Sequence, residues 1–510
     1  MRQAASQCAC SITSQPGFPS NRSRRKTAGM IYQLLASQAQ TLGHKVAVCG
    51  EDRRLTYQQL YRDASRAARH FESLGLRPSD PILIGVPPSP DFFVAFYGAC
   101  ALGLLALPVL PSGKVSDPIQ EVHPVAAIGD DHFLATVRGR CKTVKNEIKW
   151  DRSNGLDVQS SGMGFVRSRI FRTENVLGVS SSGTTGDPQL YLRPAESIVS
   201  RARLRSQVQG IREEDVFLAT RPFNSGSAIN AHIILPLVVG GRVVVHERFE
   251  RFKAVQAIAS ERVTVLYAVP FIFEMLVSIS DRYPSDFSSL RICISGSAPL
   301  PQHVSKRFYE RFGLRIRQRY SGSHFYPAFS YNLDGPPDSV GRVDGYFPIA
   351  ILDESGGPAE PNQMGEIVFS LATLPLDLRP LAEKNPNRQG AFIFTGDLGQ
   401  YDAAGNVYVV GRKSPFIKVA GNRVEPAEVE YVLRSHPQVK EALVHGTRLA
   451  DADEAVAAVV VAESEVSRED LLRYCAARLD GYKCPTRIEF RDSLPRSPHG
   501  KILRTSFRGD

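Results

Sequence analysis

From residue 30 to about residue 411, short apolar runs alternate with longer stretches in which apolar residues recur every three or four positions. The runs at 46–48, 81–86, 216–219, 243–245, 265–269 and 292–295 are rich in Val, Ile and Leu and too short for stable helices. Between them lie amphipathic segments such as 56–74, whose apolar spacing is helical. A strand that is apolar at every position is covered on both faces, as in parallel sheets flanked by helices. The pattern therefore predicts an α/β chain with a large N-terminal domain of mostly parallel sheets. Near 349–352, 365–370 and 407–410 the strands crowd together around turns such as Asp353-Glu354-Ser355-Gly356-Gly357, which predicts a smaller antiparallel or barrel-like subdomain. Beyond residues 411–415 come a strand, a helix at 426–435, an alternating Val/Ala segment at 455–461 and a helix at 468–479. That texture predicts a small C-terminal α+β domain over 416–510, with a large domain over 30–411 and a hinge at 412–415.

A length of 510 residues exceeds what one core organises, in agreement with two domains. The stretch 92–110 has no charged residue, but Gly98, Gly103 and Pro108 interrupt it. It reads as a buried helix followed by a buried strand at 104–110 rather than a membrane span. Eight scattered cysteines, none paired at zinc-ligand spacing, fit a reducing cytoplasm. The net charge of +10 suggests anionic partners, yet Arg2, Arg22, Arg24, Arg25 and Lys26 account for half of it. They sit in a Ser-rich segment over 1–29 without acids, read as a disordered basic tail rather than a targeting arm, a nucleic-acid hook or residues ahead of a start at Met30. A second basic stretch, 138–152, is interrupted by Glu147 and Asp151 and holds the one Trp, Trp150, so no nucleic-acid role is expected.

The chemistry-bearing motifs begin at Ser180-Ser181-Ser182-Gly183-Thr184-Thr185-Gly186-Asp187-Pro188, directly after the apolar run 176–179. Small residues let the backbone approach an anion, while its amides and hydroxyls donate to phosphate oxygens. No Gly-Lys-[Ser/Thr] follows, so this is not the loop of the P-loop nucleotide hydrolases. Phe394-Thr395-Gly396-Asp397-Leu398 places a carboxylate suited to a ribose diol in a strand-to-turn context. Gly411-Arg412 precedes Ile417-Lys418-Val419-Ala420-Gly421-Asn422-Arg423-Val424-Glu425-Pro426. Pro495-Arg496-Ser497-Pro498-His499-Gly500-Lys501 puts a lysine after a Gly turn, able to neutralise charge on a transferring phosphoryl group.

These four motifs, in this order, resemble the adenylate-forming superfamily, on its acyl-CoA synthetase and ligase branch, over nearly the whole chain from Met30. Leu55-Thr56-Tyr57, Val269-Pro270, Ser295-Gly296-Ser297-Ala298-Pro299-Leu300, Val340-Gly341-Arg342 and Gly365-Glu366-Ile367 strengthen the resemblance. It implies activation of a carboxylic acid by ATP, an acyl-AMP intermediate, and transfer to a thiol after the small domain swivels. It further implies that Ser181, Ser182, Gly183, Thr184, Thr185 and Gly186 form the phosphate loop. Tyr320 lies against the adenine, with Gly296, Ser297, Ala298, Pro299, Ser321, Gly322 and Ser323 shaping that pocket. Asp397 and Arg412 hold the ribose, Lys501 serves catalysis, Gly421 leaves room for pantetheine, and Arg423 contacts phosphate in the thiol channel. Phe223, Ser225, Gly322, His324 and Phe325 fall where an acyl pocket is expected. The implied cofactors are ATP or a supplied acyl-AMP, and coenzyme A.

Three positions depart from the superfamily pattern. Gln189 replaces a loop lysine, His324 replaces a glutamate that binds Mg²⁺, and Pro415 replaces the usual hinge acid. Mg²⁺ prefers oxygen ligands, so His324 weakens the case for the metal. The first two changes both act on ATP activation and not on acyl transfer. No Asp lies between Thr220 and His232 to hold an α-ammonium group, so a non-amino acid is expected. Three readings remain open. The first is a complete acid–thiol ligase using coenzyme A, or a carrier protein as acceptor. The second is an enzyme that only thiolates an adenylate made by a partner adenylating enzyme. The third is a catalytically inactive acyl- or AMP-binding homologue. Neither a membrane partner nor a nucleic acid is expected, and the chain is read as a monomer or homodimer.

Overall fold

The computed structural model describes residues 29–113, 115–151, 155–156, 175–180, 189–280, 283, 286–326, 329–345, 349–374, 378–413, 416–419, 422–448 and 454–495. Ser181, Ser182, Gly183, Thr184, Thr185, Gly186, Pro415, Gly421 and Lys501 lie outside the described residues, as do the tail through residue 28 and the side chain of Arg423.

Two large sheets carry most of the chain. One has seven strands in the order Gly155–Leu156, Asn146–Asp151, Ala126–Gly129, Pro81–Ile84, Leu105–Pro108, Asn175–Ser180 and Leu190–Pro194. The other has eight, in the order Ser330–Tyr331, Ile316–Tyr320, Ile292–Gly296, Val265–Ala268, Val216–Ala219, Arg242–Val245, Val46–Cys49 and Arg54–Thr56. Inner pairs in both sheets are parallel, and the outermost strands pair antiparallel. The reading of 92–110 resolves into the helix Pro90–Leu102 and the strand Leu105–Pro108. A helix apolar all round must be buried all round. Its Phe92 and Phe93 rings pack on Phe223 at 4.9 and 5.7 Å, and its Tyr97 hydroxyl donates to the Ile233 carbonyl at 3.0 Å. Each such ring stabilises the fold by about 1.5–3 kcal/mol through burial.

Local chemistry explains where elements begin. Helix Tyr57–Ser73 starts at a capping box in which the Thr56 hydroxyl accepts from the Gln59 amide and the Gln59 side chain accepts from the Thr56 amide. Its buried residues Tyr57, Leu60, Ala64, Ala67 and Phe71 recur every three or four positions. In the basic stretch 138–152, Arg138 grips Glu147 with two bonds of 2.9 and 2.5 Å.

The antiparallel piece is a sheet ordered Gly341–Arg342, Asn406–Arg412, Phe392–Tyr401, Gly365–Ser370 and Ile349–Leu352, with Arg388–Gln389 on the side. The C-terminal portion has a hairpin of Ile417–Val419 with Asn422–Val424, and a three-stranded sheet of Val439–Arg448, Glu454–Ala462 and Arg487–Phe490. Alternation at 455–461 suggests a half-buried strand, but every residue from Ala455 to Val461 is buried. Val456, Ala458 and Val460 face the core shared with helices Pro426–Arg434 and Arg468–Ala476, while Val459 and Val461 pack with Leu443 and Leu494. Both faces are covered, so the alternation is between larger and smaller apolar side chains.

Candidate active site

The parallel strands Ile292–Gly296 and Ile316–Tyr320 are neighbours in register, with Gly296 opposite Arg319, and both deliver loops from their C-terminal ends. A crevice outside such strand ends is where open α/β sheets bind ligands. Ser297 leaves its strand at a φ of 74°, and the Gln318 side chain fastens the loop by accepting from the Leu300 amide at 3.0 Å. The antiparallel pair Phe392–Tyr401 and Asn406–Arg412 sets Asp397 directly opposite Arg412. Arg412 Nη1 donates to Asp397 Oδ1 at 2.9 Å, and the Tyr320 hydroxyl donates to Asp397 Oδ2 at 2.5 Å. Burial, and then the Asp397 charge, push the Tyr320 phenol well above its ordinary pKa, so it keeps its proton and donates. The bend that aims Asp397 comes from Gly396 at a φ of 67°, whose amide donates to Glu366 Oε1 at 3.2 Å. A carboxylate has about four lone-pair sites, so Asp397 held on both sides still has capacity for a diol.

These residues open onto a cavity of about 2350 Å³. Its lining includes Ser180 and Gln189 beside the serine-rich segment, Ser297 to Pro299, Tyr320 to Phe325, Asp397 and Arg412, and from the C-terminal portion Arg434 and Lys440. Gly296, expected in the adenine pocket, does not line the cavity, whereas Ser225 both lines it and caps the helix Gly226–Ile229, accepting from the Ala228 amide at 3.3 Å. Phe223, expected in an acyl pocket, is instead 2% exposed in the aromatic core against Phe92 and Phe93 and does not line the cavity. Pro222 and Asn224, its neighbours, take the lining positions, because an extended chain alternates sides and the core claims the phenyl ring.

A family model described as AMP-binding enzyme matches residues 35–374, and one described as AMP-binding enzyme C-terminal domain matches residues 428–501. The chain belongs to the AMP-binding enzyme family. It sits on the acyl-CoA synthetase branch of the adenylate-forming superfamily. A long-chain-fatty-acid–CoA ligase, FadD13, of Mycobacterium tuberculosis is 28% identical over 90% of this chain and 93% of its own. The 2-succinylbenzoate–CoA ligase of Bacillus licheniformis is 27% identical over 92% of this chain and 98% of its own. The anthranilate CoA ligase AuaEII, solved with anthranoyl-AMP, matches with a TM-score of 0.77 at 23% identity, over 94% of this chain and 96% of that one. That last likeness shows the fold alone.

Within this AMP-binding enzyme, the departures have definite surroundings. His324 Nε2 lies 2.6 Å from the Thr395 carbonyl oxygen and 3.0 Å from Arg412 Nη1. The Thr395 carbonyl only accepts and the Arg412 guanidinium only donates, so the two contacts suit opposite protonation states of Nε2 and the ring is held between them. Asn385 and Asn387 donate to the His324 carbonyl at 3.1 and 2.9 Å, fixing the residue. Mg²⁺ prefers oxygen ligands, so an imidazole beside a guanidinium is a poor replacement for a carboxylate, and among the described residues no group of three His, Cys, Asp or Glu is placed to hold a metal ion. Gln189 accepts from the Tyr191 hydroxyl at 2.8 Å and brings a neutral amide to the cavity. Arg423 sits on the strand Asn422–Val424, paired with Lys418. Among the described residues, no helix is long and apolar enough to cross a membrane.

Several cavity residues escape sequence reasoning, notably Arg193, Arg201, Arg221 and Arg319. Their trace is faint: Arg319 next to Tyr320 on the strand Ile316–Tyr320, and Arg201 and Arg205 four apart on the helix Ala195–Gln209.

Proposed function

We propose that this chain is an acid–thiol ligase of the AMP-forming kind, joining a non-amino carboxylic acid to coenzyme A through an acyl-adenylate. The supporting observation is Asp397 held between Tyr320 and Arg412 at the rim of a cavity that reaches the serine-rich segment on one side and the C-terminal portion on the other. In the first half-reaction a carboxylate oxygen bonds to the α-phosphorus of ATP and pyrophosphate leaves. In the second, the thiol sulfur bonds to the acyl carbon, the acyl–oxygen bond breaks, and AMP departs. Asp397 accepts from the ribose hydroxyls, Tyr320 packs the base, and Ser181 to Gly186 cradle the phosphates. Lys501 neutralises charge on the transferring group, Gly421 leaves a passage for the pantetheine arm, and Arg423 meets a phosphate of coenzyme A. The domains run over 30–411 and 416–510, with Pro415 in the hinge between them. The acceptor is coenzyme A, the thiol named for the ligases among its relatives.

One observation favours a second reading, in which the enzyme only thiolates a supplied adenylate. The pyrophosphate end has lost a lysine at Gln189, and His324 puts an imidazole beside a guanidinium where the superfamily's metal-binding glutamate stands. A lost charge-assisted contact slows activation by about ten- to a hundredfold. Assays of pyrophosphate release from ATP with a panel of acids, and of thioester from synthetic acyl-adenylates plus coenzyme A, separate the two. Both activities are expected, with the first slow and raised at least tenfold, or roughly so, in Gln189→Lys with His324→Glu. Thioester without pyrophosphate release leaves only the thiolation reading, and silence in both assays removes the ligase proposal.

A further inference from the structure

Basic side chains gather on one side of the cavity. Arg201 and Arg205 come from the helix Ala195–Gln209, Arg221 follows the strand Val216–Ala219, and Arg319 precedes Tyr320. Arg205, Arg319 and Arg201 are only 1%, 9% and 8% exposed, and His232, beside them on a π-helical turn, is 0% exposed. Arg205 donates to the Asn230 side-chain oxygen and lies over the Tyr267 ring, and Arg201 lies over Tyr326 and Phe329. Arg221 donates to the Ser297 hydroxyl at 3.2 Å and the Ser227 hydroxyl at 3.0 Å, with its Nε unpartnered. Among the described residues no carboxylate pairs with Arg205, Arg221 or Arg319, and the charge that acts on Arg221 is the Arg319 cation. Burial and that cation push the Arg221 guanidinium down to about 10, and burial and the Arg205 cation lower Arg319. Uncompensated cations withdrawn from water are costly, and a matching anion removes the cost.

The ribose end does not supply that anion. Successive residues of a strand face opposite ways, so Tyr320 turns to Asp397 while Arg319 turns to Arg205, Tyr331 and Tyr267. Arg221, Arg319 and Arg201 nonetheless line the same cavity, next to Asn224, Ser225 and Asn230, at the end assigned above to the acyl group. A guanidinium presents paired donors that match a carboxylate. We infer that the acid this enzyme takes carries a second anionic group at its far end, a dicarboxylate in class, received by Arg221 and Arg319. This inference rests on the ligase reading.

The test uses unreactive acyl-sulfamoyl adenosines in matched pairs, one ending in a carboxylate and the other in a methyl group, over a short series of chain lengths. Binding to the full-length wild-type protein is measured by calorimetry, so no variant has to fold for the comparison to be read. The carboxylate-ended member is expected to bind about tenfold tighter or more at one chain length, with the advantage shrinking as salt rises. Arg221→Gln is expected to narrow that ratio. Equal or tighter binding of the methyl-ended member at every length overturns the inference while leaving the ligase reading in place. If no member of either series binds, the adenylate site itself is wrong and both fall.

Discussion

His232 is a buried imidazole whose two ring nitrogens find no hydrogen-bond partner among the described residues. Burial, followed by the charges of Arg221, Arg205 and Arg319, holds it far below the ordinary 6.5. The unfolded chain therefore takes up this proton first as pH falls, so stability is present above pH 6.5 and drains away below it. Each pH unit below that point removes up to about 1.4 kcal/mol for one such group. His246 and His303 are lowered by burial too and add to the slope. Melting temperatures measured from about pH 7 down to about pH 5 should fall, and His232→Leu should flatten the decline. An unchanged slope in the variant refutes the assignment. The same residue exposes the limit of reading residues singly, since His232 in sequence is one histidine in an apolar run, and only the fold surrounds it with arginines.

At the scale of elements, the site depends on two strand registers and one bend. The pairing of Ile292–Gly296 with Ile316–Tyr320 sets the 297–300 loop beside Tyr320, and the pairing of Phe392–Tyr401 with Asn406–Arg412 sets Asp397 against Arg412. Gly396 supplies the bend at a φ of 67°, where an L side chain costs roughly 1–2 kcal/mol. A Cβ there comes no closer than 3.7 Å to Arg412, so the penalty of Gly396→Ala is backbone conformation and not collision. The variant should lose about 1–2 kcal/mol in urea unfolding and bind AMP more weakly, because Asp397 turns with the adjoining peptide. Full stability together with full affinity contradicts the requirement for glycine. Apolar runs marked most of the inner strands, because a strand covered on both faces has no polar alternation to obscure it, but Ala126–Gly129, Asn146–Asp151 and Ile316–Tyr320 went unmarked. The edge strands Leu190–Pro194 and Gly155–Leu156 went unmarked, since an edge is held by its neighbour more than by its own composition.

Across the whole molecule, the cavity is shared between the large sheets and the C-terminal portion, and contacts that cross it fix one arrangement. Lys440, on the strand Val439–Arg448, pairs at 2.5 Å with Glu274 on the helix Pro270–Val277. If the two half-reactions use different arrangements, joining these positions must separate them. Glu274→Cys with Lys440→Cys, bridged by a short cleavable bis-maleimide, should keep one half-reaction, lose the other by about tenfold or more, and recover it on cleavage. Single-cysteine variants control for the reagent. Retention of both half-reactions in the bridged protein excludes the swivel.

The sequence alone determined the α/β architecture, the smaller antiparallel piece and the ordered motifs around Asp397, Arg412 and Tyr320, because periodicity and turn chemistry are local and each motif keeps its residues within a few positions. Tertiary structure alone decided that Val46–Cys49 joins the far side of the second sheet beside Arg242–Val245, that Phe223 belongs to the core and not the cavity, and that Arg201, Arg205, Arg221 and Arg319 converge. Side-chain direction and charge density depend on residues distant in the chain, and a one-dimensional pattern holds no record of which of them meet.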